Sequence, residues 1–206
     1  MSQFFQIHPE NPQQRLIKQA VEIINKGGVV VYPTDSAYAI GCHLGDKAAV
    51  DRIRTIRKLD DKHNFTLVCS DLSGLGNYAK VDNHVFRLLK AHTPGAYTFI
   101  LEATKEVPNR VIQPKRRTIG IRVPDNNIVR DLVAQLNQPL LSSTLIMPSD
   151  TLPLMDPYEI RDLLEHSVDL IIDGGHCGAE ATTVVDLMGD APVVIRVGKG
   201  DPSVFE

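Results

Sequence analysis

Cysteine is scarce and scattered. Cys42, Cys69 and Cys177 are the only three in 206 residues, and no two lie close in sequence. That excludes a disulfide framework and a four-thiolate zinc site, and it suits a reducing compartment. Long apolar runs are also missing: none approaches the ~20 residues a membrane span requires. The opening Met-Ser-Gln-Phe-Phe-Gln has neither a basic segment nor a signal-length apolar stretch. A soluble, cytoplasmic protein with no membrane partner is expected.

The standard fingerprints of phosphate and catalytic sites are absent. There is no Gly-x-x-x-x-Gly-Lys-Ser/Thr loop, no Gly-x-Gly-x-x-Gly after a strand, no Gly-x-Ser-x-Gly and no His-Glu-x-x-His. Neither a P-loop nor a dinucleotide fold is supported. The seven histidines are scattered, and the adjacent pairs Cys42-His43 and His176-Cys177 do not put both side chains on one metal, so no intrinsic metal is expected. Aromatic residues make up 5% of the chain, with no platform on which single-stranded bases could stack.

What is present centres on the stretch from Gly27 to Leu44. Val29, Val30, Val31 and Tyr32 form an apolar run that suits a strand covered on both faces. Pro33 ends it, having no backbone donor, and Thr34, Asp35, Ser36 and Tyr38 follow as a hydroxyl-rich turn at the strand's carboxyl end, where open α/β sheets bind ligands. Around this stretch short strands alternate with amphipathic helices. Asn11 reads as an N-cap and Pro12 as the first residue of a helix running through Gln13 to Lys26. Further helices are predicted from Gly45-Asp46 to about Lys58, from about Asp82 to Ala91, over Asn127 to Leu136 and over Pro157 to His166. Strands are predicted at Phe65 to Cys69, Tyr97 to Leu101, Thr118 to Pro124, Pro139 to Thr144 and Val168 to Ile172. A closing pair, Thr183 to Leu187 and Pro192 to Val197, carries the hairpin signature Gly189-Asp190.

This pattern predicts an α/β fold with a twisted, mixed, open sheet and helices packed on it. With 43% hydrophobic residues the chain fills one sizeable core and is short for two, so a single domain over 1–206 is expected, its core at about 12–200.

Charge is uneven. Residues 1–147 carry 19 Lys and Arg against 13 Asp and Glu, whereas 148–190 carry 10 acidic residues and only Arg161 as a base. The basic excess gathers at Arg52, Arg54, Arg57, Lys58 and Lys62, and again at Arg110, Lys115, Arg116, Arg117 and Arg122. Hydroxyls and cations also recur at or near strand and helix ends: Thr34 to Tyr38, Lys58, Arg122, Ser142-Ser143-Thr144, Thr182-Thr183 and Arg196. Cations and hydroxyls without an obvious base suit an anion site. Spacing alone leaves open whether they form one or serve as local turn bonds and surface ion pairs.

Five segments in register resemble the YrdC/YciO family: Pro33-Thr34-Asp35-Ser36-Ala37-Tyr38-Ala39-Ile40-Gly41, Pro94-Gly95-Ala96-Tyr97-Thr98, Ile119-Gly120-Ile121-Arg122-Val123-Pro124, Thr182-Thr183-Val184-Val185-Asp186 and Ile195-Arg196-Val197-Gly198. The resemblance implies a YrdC-like sheet with a concave basic face. It also implies synthesis of threonylcarbamoyl-adenylate from L-threonine, bicarbonate and ATP, with magnesium accompanying the nucleotide, for later modification of a transfer-RNA adenosine. By position, Thr34, Ser36, Tyr38 and Arg122 would hold the threonine, and Lys58, Ser142, Thr144, Thr182 and Arg196 the ATP.

Two departures stand out. The family's Lys-x-Arg pattern is Lys58-Leu59-Asp60 here, and its Ser-x-Asn pattern is Thr144-Leu145-Ile146. Losing one charged and one polar contact is expected to remove ~3 kcal/mol or more of transition-state stabilisation, a rate loss above a hundredfold. A second reading therefore stands beside the enzyme: a protein without catalysis that binds double-stranded RNA or transfer RNA through Arg52, Arg54, Arg57, Lys115, Arg116 and Arg117.

Overall fold

The computed structural model describes residues 1–206. Its elements run β1 (Gln3–Gln6), α1 (Gln14–Asn25), β2 (Val30–Tyr32), β3 (Ala39–His43), α2 (Lys47–Arg57), β4 (Thr66–Val68) and α3 (Asn83–His92). The second half runs β5 (Tyr97–Glu102), β6 (Thr118–Arg122), α4 (Asn127–Leu136), β7 (Leu140–Thr144), α5 (Pro157–Leu164), β8 (Leu170–Asp173), β9 (Thr183–Asp186) and β10 (Val193–Arg196). Short 3-10 turns lie at Leu75–Asn77 and Pro202–Phe205.

All ten strands join one mixed sheet in the order β1-β8-β2-β3-β7-β4-β6-β5-β9-β10. It is open, with β1 and β10 at its edges. Strand alternation sends neighbouring side chains to opposite faces, and β2 shows the result. Val29 and Val31 enter one apolar cluster and Val30 and Tyr32 another, all four fully buried. The first cluster takes Ala49, Val50 and Ile53 of α2, Leu89 of α3, and Ile160 and Leu164 of α5. The second is closed by α1 and α4, which pack against each other. Its strand residues come from β1, β2, β3, β4, β7 and β8, so α1 and α4 leave β5, β6, β9 and β10 uncovered on that face.

Several expectations need correction. β1 carries little strand signal of its own: its polar Gln3 and Gln6 hide a strand made by parallel pairing with β8. The stretch after Pro33 is a turn only as far as Tyr38, because Ala39 to His43 then pairs antiparallel with both β2 and β7. Asn11 and Pro12 do not start α1. The amides of Glu10 and Asn11 both bond His8 Nδ1 at 3.1 Å, which ties these residues into a turn, and Gln13 becomes the N-cap, with no side-chain cap bond. The closing hairpin forms, but six residues separate β9 from β10, so Gly189-Asp190 lies within a longer loop. By contrast, Asp46, Asp82, Asn126 and Asp156 each accept a helix-end amide as N-caps should.

Candidate functional site

The uncovered face forms a cavity of about 360 Å³, whose floor is built by β-sheet register. Thr66 of β4 stands opposite Gly120 of β6 and Ser142 of β7, and all three line it. Gly120 is there because space is short: a Cβ would come within 2.9 Å of Thr66 Oγ1 and 3.0 Å of Thr98 Cγ2. Thr118, Gly120 and Arg122 share this face while Ile119 and Ile121 enter the core behind it, the alternation expected of that segment. Arg57, Arg122 and Arg196 line the cavity, and no carboxylate does.

Each guanidinium is pinned by the protein on one side. Arg122, 7% exposed, donates through Nη2 to Thr34 Oγ1 at 3.2 Å, to Ser36 Oγ at 2.9 Å and to Asp35. Its Nε is buried without a partner, and its Nη1 makes no bond to the protein. Arg57 donates through Nε to the Ile146 carbonyl at 2.8 Å and through Nη1 to Ser143 Oγ, leaving Nη2 open. Arg196, at the rim, donates through Nε and Nη2 to the Thr182 carbonyl at 3.1 and 2.8 Å. Partial burial, followed by the nearby Arg122 charge, lowers the Arg196 pKa, and burial lowers that of Arg57. Arg122, buried, and Arg57, half-buried, are stabilised by an anion between them, and Arg196 adds its charge from the exposed rim.

The hydroxyls divide between structure and cavity. Thr34 Oγ1 donates to the Ala37 carbonyl at 2.5 Å and accepts the amides of Ser36 and Ala37 at 3.1 Å, so it holds the turn together beneath the cavity. Tyr38 is fully buried in the core, with its hydroxyl donating to the Gly175 carbonyl at 2.6 Å, and burial pushes its pKa up. Ser142 accepts from Tyr32 at 2.5 Å, and Thr182 exchanges a hydrogen bond with Thr98 at 2.7 Å. Thr144 lines the cavity from the end of β7.

The Sua5/YciO/YrdC family model, described as telomere recombination, matches residues 22–198. The chain belongs to this family. It is 62% identical over 206 residues to a protein of Haemophilus influenzae, covering all of both chains. It is 29% identical over 159 residues to threonylcarbamoyl-AMP synthase of Coxiella burnetii, across 77% of this chain and 84% of that one. The crystal structure of E. coli YciO superposes with a TM-score of 0.96 at 59% identity, covering 100% of each chain. P. abyssi Sua5 complexed with L-threonine shares the fold, with a TM-score of 0.86 at 24% identity over 95% of this chain and 57% of that one.

Within this family fold the cations fall differently from the sequence expectation. Lys58, assigned to ATP, is the C-cap of α2 in a left-handed conformation (φ 51°), exposed and outside the cavity lining, while Arg57 turns in. Arg57 continues the buried stripe Val50-Ile53, at i+7 and i+4, a helical signal that was there to read. Asp60 is also exposed and outside the lining, so the charge reversal at the Lys-x-Arg position does not put a carboxylate into the cavity. Ile146 does line it, contributing an apolar wall and its carbonyl. His63, not singled out by sequence, lines it as well, with Nε2 2.9 Å from Ser143 Oγ.

Of the basic residues considered for RNA, several are engaged internally. Arg52 pairs with Asp169 at 2.7 Å and Arg116 with Asp186 at 2.6 Å. Arg54 donates to the carbonyls of Asp60 and Arg110 at 2.6 and 2.8 Å and stacks 4.9 Å above Phe65. Lys115 and Arg117 are exposed. No helix is long and apolar enough to cross a membrane.

Proposed function

We propose that the cavity binds L-threonine and ATP and, with bicarbonate, forms threonylcarbamoyl-adenylate. The observation that carries this is the convergence of three pinned guanidiniums, Arg57, Arg122 and Arg196, on one cavity free of carboxylates. The synthase name of the Coxiella relative and the threonine bound to P. abyssi Sua5 point the same way.

The reaction asks the protein for positioning and charge. The threonine amine adds to bicarbonate carbon and loses water, giving a carbamate. A carbamate oxygen then attacks the α-phosphorus in line and pyrophosphate leaves. Holding these groups in place removes much of the entropic barrier, and fixed donors aimed at the departing oxygens stabilise the charge that develops. Arg122 Nη1 is the donor for the threonine carboxylate, braced from behind by Thr34, Asp35 and Ser36. Arg57 Nη2 and Arg196, with Ser143, Thr144 and Thr182, face the phosphates. Magnesium arrives as MgATP, held by the phosphates, because the cavity lining offers hydroxyls and cations but no carboxylate ligand.

The test is pyrophosphate release from MgATP with bicarbonate, with and without L-threonine, alongside mass detection of the adenylate. Threonine-dependent release with the adenylate present is the expected result. Release that ignores threonine, or none at any enzyme concentration, overturns the proposal.

A further inference from the structure

The loop from Leu59 to Asn64 carries Asp60, Asp61, Lys62 and His63, and of these only His63 lines the cavity. Its imidazole sits edge-on to Phe65, with ring centroids 5.1 Å apart. Two groups meet at Ser143 Oγ: Arg57 Nη1 donates to it and His63 Nε2 lies 2.9 Å away. A hydroxyl oxygen has one proton to give and two lone pairs to receive. With Arg57 donating and the neutral ring carrying its proton on Nδ1, Ser143 gives its own proton to Nε2.

The charged groups around the ring come from every side. Arg57 and Arg54 approach from α2, Asp60 from its own loop, and the neutral Ser143 from β7. Burial, then the two arginines, hold the His63 pKa down to about 4 against the weaker pull of Asp60, so the imidazole of the empty cavity is uncharged at neutral pH.

We infer that His63 is a proton-coupled part of the anion seat beside Arg57: a phosphate chain entering the cavity draws one proton from solvent onto Nε2, and Ser143 turns its own proton to the ligand. Nε2–H then donates to Ser143 Oγ, Arg57 still donates to the same oxygen, and the hydroxyl hydrogen points into the cavity. The serine then uses its proton and both lone pairs, where before it used its proton and one lone pair. The arriving anion makes the change favourable because it adds negative charge beside a ring that two cations had kept neutral. Affinity for polyphosphate therefore includes proton uptake, which is largest between the free and the bound pKa of His63. The inference rests on the reading that this cavity takes a phosphate chain, and not on the chemistry that follows.

Inorganic pyrophosphate is the probe. Isothermal titration of the wild type and His63→Gln from pH 5.5 to 8.0, each in two buffers of different ionisation heat, reads affinity and proton uptake together. Glutamine can still accept from Ser143, and the ligand's own titration cancels in the ratio of the two proteins. The wild type is expected to bind more tightly than the variant at pH 5.5, by about tenfold for each unit by which the bound pKa of His63 exceeds 5.5. That advantage should shrink towards pH 8.0, and the variant should lack the matching buffer-dependent heat. A ratio that stays constant with pH overturns the inference. Proton NMR of the His63 ring in the wild type gives a second reading independent of how the variant folds: its pKa should rise from about 4 into the titrated range with saturating pyrophosphate. Binding with an unmoved His63 pKa sinks this inference alone, while no binding at any pH sinks the polyphosphate reading with it.

Discussion

The two ends of the cavity are built on opposite plans. At one end Arg122, Asp35, Thr34 and Ser36 form a buried knot in which the Thr34 hydroxyl is fully committed and an ion pair is almost closed off from solvent, the side chains 8% and 12% exposed. At the other, Arg57, His63 and Ser143 share a single hydroxyl oxygen with no carboxylate among them. The first is a closed network that fixes geometry before any ligand arrives. The second is an open one whose charges are balanced only when an anion enters. A cavity that must hold one group still while a charged leaving group forms and departs has use for both.

Breaking the closed end should have the largest effect. Arg122→Met leaves the nearly buried Asp35 carboxylate without its counter-ion and with only the Asp125 amide as a partner, which is expected to cost about 3 kcal/mol in a urea unfolding experiment. Asp35→Asn, which keeps a hydrogen-bond acceptor, should cost distinctly less.

The open end should respond to pH. The His63 pKa is lower in the folded protein (about 4) than in an unfolded chain (about 6.5), so as pH falls the unfolded state takes up the proton first. The stability that depends on neutral His63 is complete above pH 6.5 and is lost progressively down to pH 4. It amounts to about 3 kcal/mol, read as the wild-type stability minus that of His63→Gln at each pH. A difference that does not change over this window would place His63 in solvent.

Arg57→Ala should slow threonine-dependent pyrophosphate release by about 10- to 100-fold, the value of one charge-assisted contact, whereas Lys58→Ala should leave it within about twofold. The reverse order would mean that the exposed lysine swings inward when the nucleotide binds. The smallest effect is a gain: Ile146→Asn returns a donor and acceptor to the cavity wall and should raise turnover about fivefold, one ordinary hydrogen bond.

Much of the architecture could be read from the chain. The run Val29 to Tyr32 announced a strand buried on both faces, and it feeds two separate cores. Asp46 and Asp82 announced helix starts and cap them. β1 and β3 escaped because pairing with distant strands, and not their own residues, makes them strands: Gln3–Gln6 lies along β8, and Ala39–His43 lies between β2 and β7. β-propensity describes a fit to neighbours more than a backbone preference. At the site, Arg57 continues a buried helical stripe, whereas Lys58 stands out only as a cation at the helix end and by family position.

Local pattern was therefore determined by the sequence itself: which β6 side chains share a face, where Asp46 and Asp82 start two of the helices, and that Arg57 follows Val50 and Ile53. Such information travels only a few residues, because a repeat of 2 or 3.6 sets directions within one element and says nothing about what lies opposite. Only the tertiary structure decided that His63 turns from a charged loop to line the cavity, that Thr34 serves the turn beneath the cavity, and that three arginines from positions 57, 122 and 196 face one space. Their meeting depends on the order β7-β4-β6-β5-β9-β10, which joins strands far apart in the chain.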